Sequence, residues 1–334
     1  MIRPLTALLA VLAAVTLTAC GAKDETPDGT PKTERLTLVL DYFPNADHAG
    51  IYAAQAAGFF RQAGLDVDIQ VPGDPAAPTK LVQARKADIA ISYEPEVLLA
   101  RDKGAAVVSF GALVQKPLTS LMSLPSGRVR GPEDLKGRTV GTAGIPYQSA
   151  YLKTILKQAG VGEGSVKEVN VGFNLVPAML SKRVDATLGA FWNYEGVQLR
   201  REGKHPRIVR MEDAGVPAYN ELVFIAERDT LRERGDVLRR FLQAVGRGHK
   251  LLREDPAKGV EPLLKANKDL DRGLQLAAVK ATLPVFFPEN GKPFGWQDLD
   301  AWKAYGDWMV ENDLLKRAPT PTALTNEFVP GQGI

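Results

Sequence analysis

Short apolar runs alternate with helical patterns along most of this chain, and this alternation most limits the folds open to it. Residues 36–40 form a strand-like run with alternating Thr, followed by a loop over 41–50. Residues 51–63 have Ala-rich helical spacing that stops at Gly64, and 65–71 alternate apolar with polar as a second strand would. That is a βαβ unit, which predicts a mainly parallel sheet with covered faces. The rhythm continues with helices over 79–86, 95–103, 148–159 and 175–182 and strands over 88–92, 105–110, 139–142, 166–171 and 185–188, with a turn at 132–136. After a strand at 222–226 the pattern becomes helical, over 237–254, 255–266, 270–282 and 296–312. The expectation is two α/β lobes with a helical C-terminal wrap, and about 300 residues suffice for two lobes of ordinary size.

The first residues carry a different signal. A basic start, Met1-Ile2-Arg3-Pro4, precedes an apolar run over 5–17 broken only by Thr6 and Thr16. This predicts a secretory signal over residues 1–19, too short for a transmembrane helix of about 20 apolar residues. Leu17-Thr18-Ala19-Cys20 resembles the bacterial lipobox, which implies lipidation of Cys20 and anchoring by more than one acyl chain to the extracytoplasmic side of the cell membrane. Cys20 is the only cysteine, so its acylation would leave no thiol for disulfides, metal binding or nucleophilic catalysis. Residues 20–34 are rich in charge, Pro and Gly without apolar periodicity and read as a flexible tether. Loss of Arg3 with the signal would leave a net charge of +2, and no long basic run is present, which argues against nucleic acid.

One internal echo stands out. Lys86-Ala87-Asp88-Ile89-Ala90-Ile91-Ser92-Tyr93-Glu94 matches the pattern of Arg183-Val184-Asp185-Ala186-Thr187-Leu188-Gly189-Ala190-Phe191: a helix end, a basic residue, an Asp, a short strand and an aromatic. Ligands of open α/β sheets sit beyond the carboxyl ends of strands. Two such aromatics either clamp a ligand across a cleft or plug their own lobes.

The stretch Asp41-Tyr42-Phe43-Pro44-Asn45-Ala46-Asp47-His48-Ala49-Gly50-Ile51-Tyr52, with Phe59-Phe60 and Gly64-Leu65-Asp66-Val67, resembles the opening of the NMT1/THI5-like family. Ile91-Ser92-Tyr93-Glu94, Gly172-Phe173-Asn174-Leu175-Val176-Pro177-Ala178 and Gly189-Ala190-Phe191-Trp192-Asn193-Tyr194-Glu195 are similar to its later blocks. The resemblance covers most of the mature chain. It implies the type II periplasmic-binding-protein fold, with two α/β lobes joined by two hinge crossings near 116–123 and 219–225. Residues 35–120 and 223–334 would form lobe one, and 121–222 lobe two. Bacterial members are substrate-binding proteins of ABC importers, several of them for pyrimidine precursors of thiamine such as formylaminopyrimidine or hydroxymethylpyrimidine. The resemblance thus implies an aminopyrimidine ligand, an ABC permease as partner, no cofactor, and a monomer on a lipid anchor.

An aminopyrimidine needs aromatic faces for its ring and acceptors for its edge. Tyr42, Tyr93, Tyr147, Phe173, Phe191, Trp192 and Tyr219 offer faces; Asn45, Glu94, Asn174, Asn193, Glu195 and Glu221 offer edge contacts. A carboxylate can take two charge-assisted hydrogen bonds from an aminopyrimidinium edge. Several of these positions have a second reading. Asp41 ends a strand and is read first as a cap, Pro44-Asn45 can be a plain turn, and His48 either touches ligand or caps the next helix. Trp192 stacks on ligand or plugs its lobe, and Tyr219-Asn220-Glu221 can set hinge geometry instead. Gly144-Ile145-Pro146-Tyr147-Gln148 opens a helix, either as an ordinary Pro-led start or as an anion site. His205 and His249 lie in charged stretches and are read as exposed, while Trp296, Trp302 and Trp308 are read as core.

The family's fungal members, hydroxymethylpyrimidine phosphate synthases, supply the rival reading. They carry a cysteine-rich iron-binding motif, a cofactor-bearing lysine and an active-site histidine. Here the sole cysteine stands at the lipobox, the three histidines are scattered, and no Walker, Rossmann or Gly-x-Ser-x-Gly motif occurs in a strand–helix turn. The reading is therefore a binder, not an enzyme. Flavin, sulfonate and nitrate binders share the general plan, and the carboxylate-rich blocks argue against an anion.

Overall fold

In the computed structural model the chain divides into residues 1–32 and 33–334, and residues 33–289 and 291–331 are described. The expected signal and Cys20 lie outside the described residues. Among the described residues no helix is long and apolar enough to cross a membrane.

Among the described residues, ten strands build two five-stranded sheets. They are β1 (Glu34–Val39), β2 (Leu65–Gln70), β3 (Ile89–Ser92), β4 (Val107–Val114), β5 (Thr119–Ser123), β6 (Thr139–Thr142), β7 (Lys167–Asn170), β8 (Ala186–Phe191), β9 (Arg207–Arg210) and β10 (Leu222–Glu227). The lobe-one sheet has order β2-β1-β3-β10-β4 and the lobe-two sheet β7-β6-β8-β5-β9. Both are mixed but mainly parallel, as expected: four strands of each sheet share one direction and one, β10 or β5, is reversed. β1, β2 and β3 run parallel, as do β6, β7 and β8, while β10 and β5 enter antiparallel to their neighbours. The chain passes between sheets at 115–118 and again at 211–221. The expected crossing over 116–123 therefore includes β5, a full strand of the second sheet, and the expected tether ends where Glu34 begins β1.

The helix read over 51–63 is two pieces, Ala49–Ala56 and Phe59–Gln62, broken at Gly58 in the left-handed region (φ +72°). The region read as one helix over 255–266 also splits, into Pro256–Gly259 and Glu261–Ala266. The long helix Gly235–Glu254 buries Val237, Leu238, Phe241, Leu242, Val245, His249 and Leu252, an apolar stripe at three- and four-residue spacing. Its Phe241 meets Phe60 and Phe224, with ring centroids 5.7 and 5.3 Å away, and full burial of such a ring contributes roughly 1.5–3 kcal/mol.

His249 is fully buried, contrary to expectation, because the helices Gly235–Glu254 and Ala49–Ala56 nearly touch. A Cβ on Gly248 would lie 2.0 Å from the Gly50 carbonyl oxygen, and one on Gly50 would strike the His249 ring. The ring stacks on Phe294 at 4.5 Å, and burial lowers its pKa to about 4, so it is neutral. This contact sets the helix that follows the loop of residues 41–48. Of the three C-terminal tryptophans, Trp302 is buried, while Trp296 and Trp308 are half-buried.

Candidate functional site

The carboxyl ends of the parallel strands of both lobes face one cavity. It is lined by Asp41, Tyr42, Asn45 and Tyr93 of lobe one and by Ala143, Ile145, Gln148, Leu175, Gly189, Phe191, Tyr194 and Glu195 of lobe two.

On the lobe-one side, Asp41 follows β1. Its Oδ2 accepts the Tyr93 hydroxyl at 2.9 Å, and its Oδ1 lies 2.8 Å from His48 Nε2. His48 Nδ1 faces the Asn45 N–H at 3.2 Å and must accept there, so in the neutral ring Nε2 carries the proton and donates to Asp41. The cap is Asn45, whose Oδ1 accepts the Asp47 N–H at 2.8 Å, while its Nδ2 donates to the Phe43 carbonyl. Asp41, read first as a cap, is instead a cavity carboxylate fixed from behind by His48, which is itself buried away from the cavity.

On the lobe-two side, β8 ends at Phe191 and the helix Glu195–Arg201 begins four residues on. Glu195 Oε2 accepts the Phe191 N–H at 2.7 Å. Burial pushes its carboxyl up to about 7, opposed by that backbone donor, with the Asp47 and Asp41 carboxylates raising it further. Gln148 Oε1 takes the Ala143 N–H at 2.7 Å, and Pro146 occupies the first turn of the helix Pro146–Gln158, as in an ordinary Pro-led start. Gly189 has φ +115°, and a Cβ there would strike the Gln148 amide, so glycine is required for this wall.

Aromatic contacts run across the cleft. Tyr42 meets Phe173 edge-on at 4.7 Å, Phe43 lies 6.0 Å from Tyr194, and Tyr93 lies 5.0 Å from Tyr147. The Tyr42 hydroxyl is buried without a hydrogen-bond partner among the described residues, and burial, with Glu195 and Asp41 nearby, holds its pKa far above the ordinary range.

Of the sequence candidates, Tyr42, Asn45, Tyr93, Phe191 and Glu195 line the cavity. Phe173 packs on Tyr42 beside it, while Asn174 is exposed at a helix start. Five others serve the hinge. Glu221 accepts the Leu118 and Thr119 N–H groups at 2.6 and 2.8 Å, the Thr119 hydroxyl and the Tyr219 hydroxyl, joining the two crossings. Tyr147 contacts the same carboxylate. Glu94 accepts the Asn220 N–H at 2.7 Å, and Trp192 Nε1 donates to the Pro117 carbonyl with Arg210 stacked on its ring. Asn193 is fully buried between the lobes, bonded to Asp47 and Thr282. Among the described residues their polar atoms bond to the protein, Glu94 Oε1 and Asn193 Oδ1 excepted, and none of these side chains lines the cavity. Sequence reasoning did not select Asp41, Tyr194, Gln148 or Leu175. Strand position alone pointed to Asp41, whereas Tyr194 sits in a turn whose facing no periodicity sets.

Two lobes, a double crossing and a cleft at the strand ends define the type II periplasmic-binding-protein fold. The chain is similar in structure to the alkanesulfonate-binding protein SsuA from Xanthomonas axonopodis pv. citri bound to MOPS, with TM-score 0.67 at 17% identity over 87% of this chain and 98% of that one. A family model described as NMT1/THI5 like matches residues 45–259, and the chain belongs to that family. It is 35% identical to the formylaminopyrimidine-binding protein of Halalkalibacterium halodurans over 92% of this chain and 93% of that protein. It is 29% identical to the 4-amino-5-hydroxymethyl-2-methylpyrimidine phosphate synthase of Legionella pneumophila over 75% of this chain and 80% of that protein.

Proposed function

We propose that the chain is the extracytoplasmic substrate-binding component of an ABC importer. Its ligand is a thiamine pyrimidine precursor of the formylaminopyrimidine or hydroxymethylpyrimidine type, held between the lobes. The observation that carries this reading is the convergence of Asp41 from lobe one and Glu195 from lobe two on one aromatic-walled cavity. An aminopyrimidine has a flat face for Tyr42, Tyr93, Phe191 and Tyr194 and a donor-rich edge for the carboxylates. The similarity to a formylaminopyrimidine-binding protein supports the same ligand class.

In this mechanism the open cleft admits the ring, hinge motion at 115–118 and 211–221 closes the lobes over it, and the closed form docks on a membrane permease. Asp41, oriented by Tyr93 and His48, needs no rearrangement to accept the ligand edge. Lipidation at Cys20 and a polar tether would keep the body beside that permease.

A synthase reading draws on the relatives that carry that name. It is the weaker one for this chain, because both ring nitrogens of His48 are engaged by Asp41 and Asn45 and the sole cysteine stands at the proposed lipidation position. The test is mass spectrometry of small molecules released from the purified protein, with a thermal-shift panel of pyrimidines, riboflavin, alkanesulfonates and nitrate. A stabilising pyrimidine supports the reading, and stabilisation by another class alone overturns it.

A further inference from the structure

The helix Arg272–Phe286 lies beyond the residues matched by the family model, and none of its side chains lines the cavity. Its buried face is mostly apolar, with Ala278, Val279 and Phe286, yet carries two fully buried polar residues, Gln275 and Thr282. Seven residues apart, they sit two turns from each other on one side of the helix. Both hold lobe two. Gln275 Nε2 donates to the Tyr194 hydroxyl at 2.9 Å, and Asn193 Nδ2 donates to Thr282 Oγ1 at 2.7 Å. The same Asn193 amide donates to Asp47 Oδ1 of lobe one at 2.7 Å, so turn, helix and lobe-two strand end meet at one point. The helix also packs on the 3-10 turn Ala46–His48 and on the helix Glu195–Arg201, and its Val285 carbonyl accepts the Gln115 N–H in the first crossing at 2.7 Å.

We propose that this helix is an interlobe clasp: Gln275 and Thr282 are positioning residues that hold Tyr194 and Asn193 in the closed form and thereby set how long a ligand stays. The inference rests on the substrate-binding reading. Two features separate a clasp from plain core packing. First, the bonds hold Asn193 and the cavity-lining Tyr194, both between Phe191 and Glu195 of the cavity edge, from outside: neither Gln275 nor Thr282 lines the cavity. Second, the junction is imperfectly satisfied: Gln275 Oε1, Asn193 Oδ1 and Asp47 Oδ2 are buried without partners among the described residues. A buried acceptor left bare costs free energy that water would relieve once the lobes part. Parting the lobes exposes these atoms to water, and on this proposal ligand contacts favour the closed form.

The test uses the full chain with two near-isosteric variants, Gln275→Leu and Thr282→Val, and Thr282→Ser as the conservative control. Hydrogen exchange is followed on the ligand-free protein, and dissociation of 4-amino-5-hydroxymethyl-2-methylpyrimidine and of formylaminopyrimidine is followed by fluorescence. Expected are faster exchange at residues 190–196 with β1 unchanged, a dissociation rate raised about tenfold in each variant with the association rate within about threefold of the parent, and parental behaviour for Thr282→Ser. Parental exchange and parental dissociation in both variants overturn the clasp, as does faster exchange spread evenly over β1 and residues 190–196. If the parent binds neither pyrimidine, the ligand assignment fails, and the exchange pattern alone decides the clasp. If Thr282→Val does not fold, Gln275→Leu carries the test.

Discussion

At the scale of single residues, the environment of Glu195 sets a measurable pH dependence. Its carboxyl is raised to about 7 by burial, from an ordinary 4.5. Between those values the folded protein holds a proton that the unfolded chain releases, so Glu195 makes stability fall as pH rises from about 4.5 to 7 and adds no further slope above. Glu221, also pushed up to about 7 by burial, and Asp47, up to about 6, act in the same direction. Glu195→Gln should flatten this slope, by up to about 3 kcal/mol between the ends of the window, in urea unfolding of the ligand-free protein. An unchanged slope would mean that Glu195 is ionised throughout. Much of the site's chemistry was legible residue by residue, Glu195, Tyr93 and Phe191 among it. Its facing was not. Phe191, Trp192, Asn193, Tyr194 and Glu195 are consecutive and share a chemistry suited to an aminopyrimidine, yet the turn sends Trp192 to the hinge and Asn193 to the clasp.

Among elements, the internal echo has a structural basis. Asp88 Oδ2 accepts the Thr37 N–H of β1 at 2.8 Å, and Asp185 Oδ2 accepts the Thr139 N–H of β6 at 2.8 Å. In each lobe the Asp before one parallel strand accepts a backbone N–H of its neighbour, and the aromatic at or just past the far end, Tyr93 or Phe191, lines the cavity. Strands and helices of the parallel units were legible because their periodicity is local. β10, read over 222–226, is delimited to within one residue, whereas β5 falls inside the expected crossing, because it joins its sheet directly from that crossing and has no helix of its own before it. The burial of His249 was illegible because it depends on two helices, distant in sequence, meeting at Gly50 and Gly248. That meeting is testable: Gly248→Ala should destabilise by about 3 kcal/mol through overpacking against backbone. The urea midpoint should fall with an unchanged m-value, and an unmoved midpoint would show that the helices can separate at no cost.

For the whole molecule, the two-lobed plan followed from length and alternation, whereas the closed cleft with its clasp depends on contacts between distant segments that no local pattern encodes. Membrane attachment belongs to this scale too. Cys20→Ser should move the protein from the membrane fraction to the soluble fraction and abolish labelling by a radiolabelled fatty acid, and continued membrane association without label would remove the lipid anchor from the account. The central claim is that the cavity between Asp41 and Glu195 captures a pyrimidine and releases it unchanged. Calorimetric titration of the purified full chain with formylaminopyrimidine and 4-amino-5-hydroxymethyl-2-methylpyrimidine, followed by mass spectrometry of the recovered ligand, tests this most directly. The account predicts saturable one-to-one binding of at least one of them, at least tenfold weaker in Glu195→Gln, with the ligand recovered intact. Absence of binding by both, or recovery of a chemically altered pyrimidine, would contradict it.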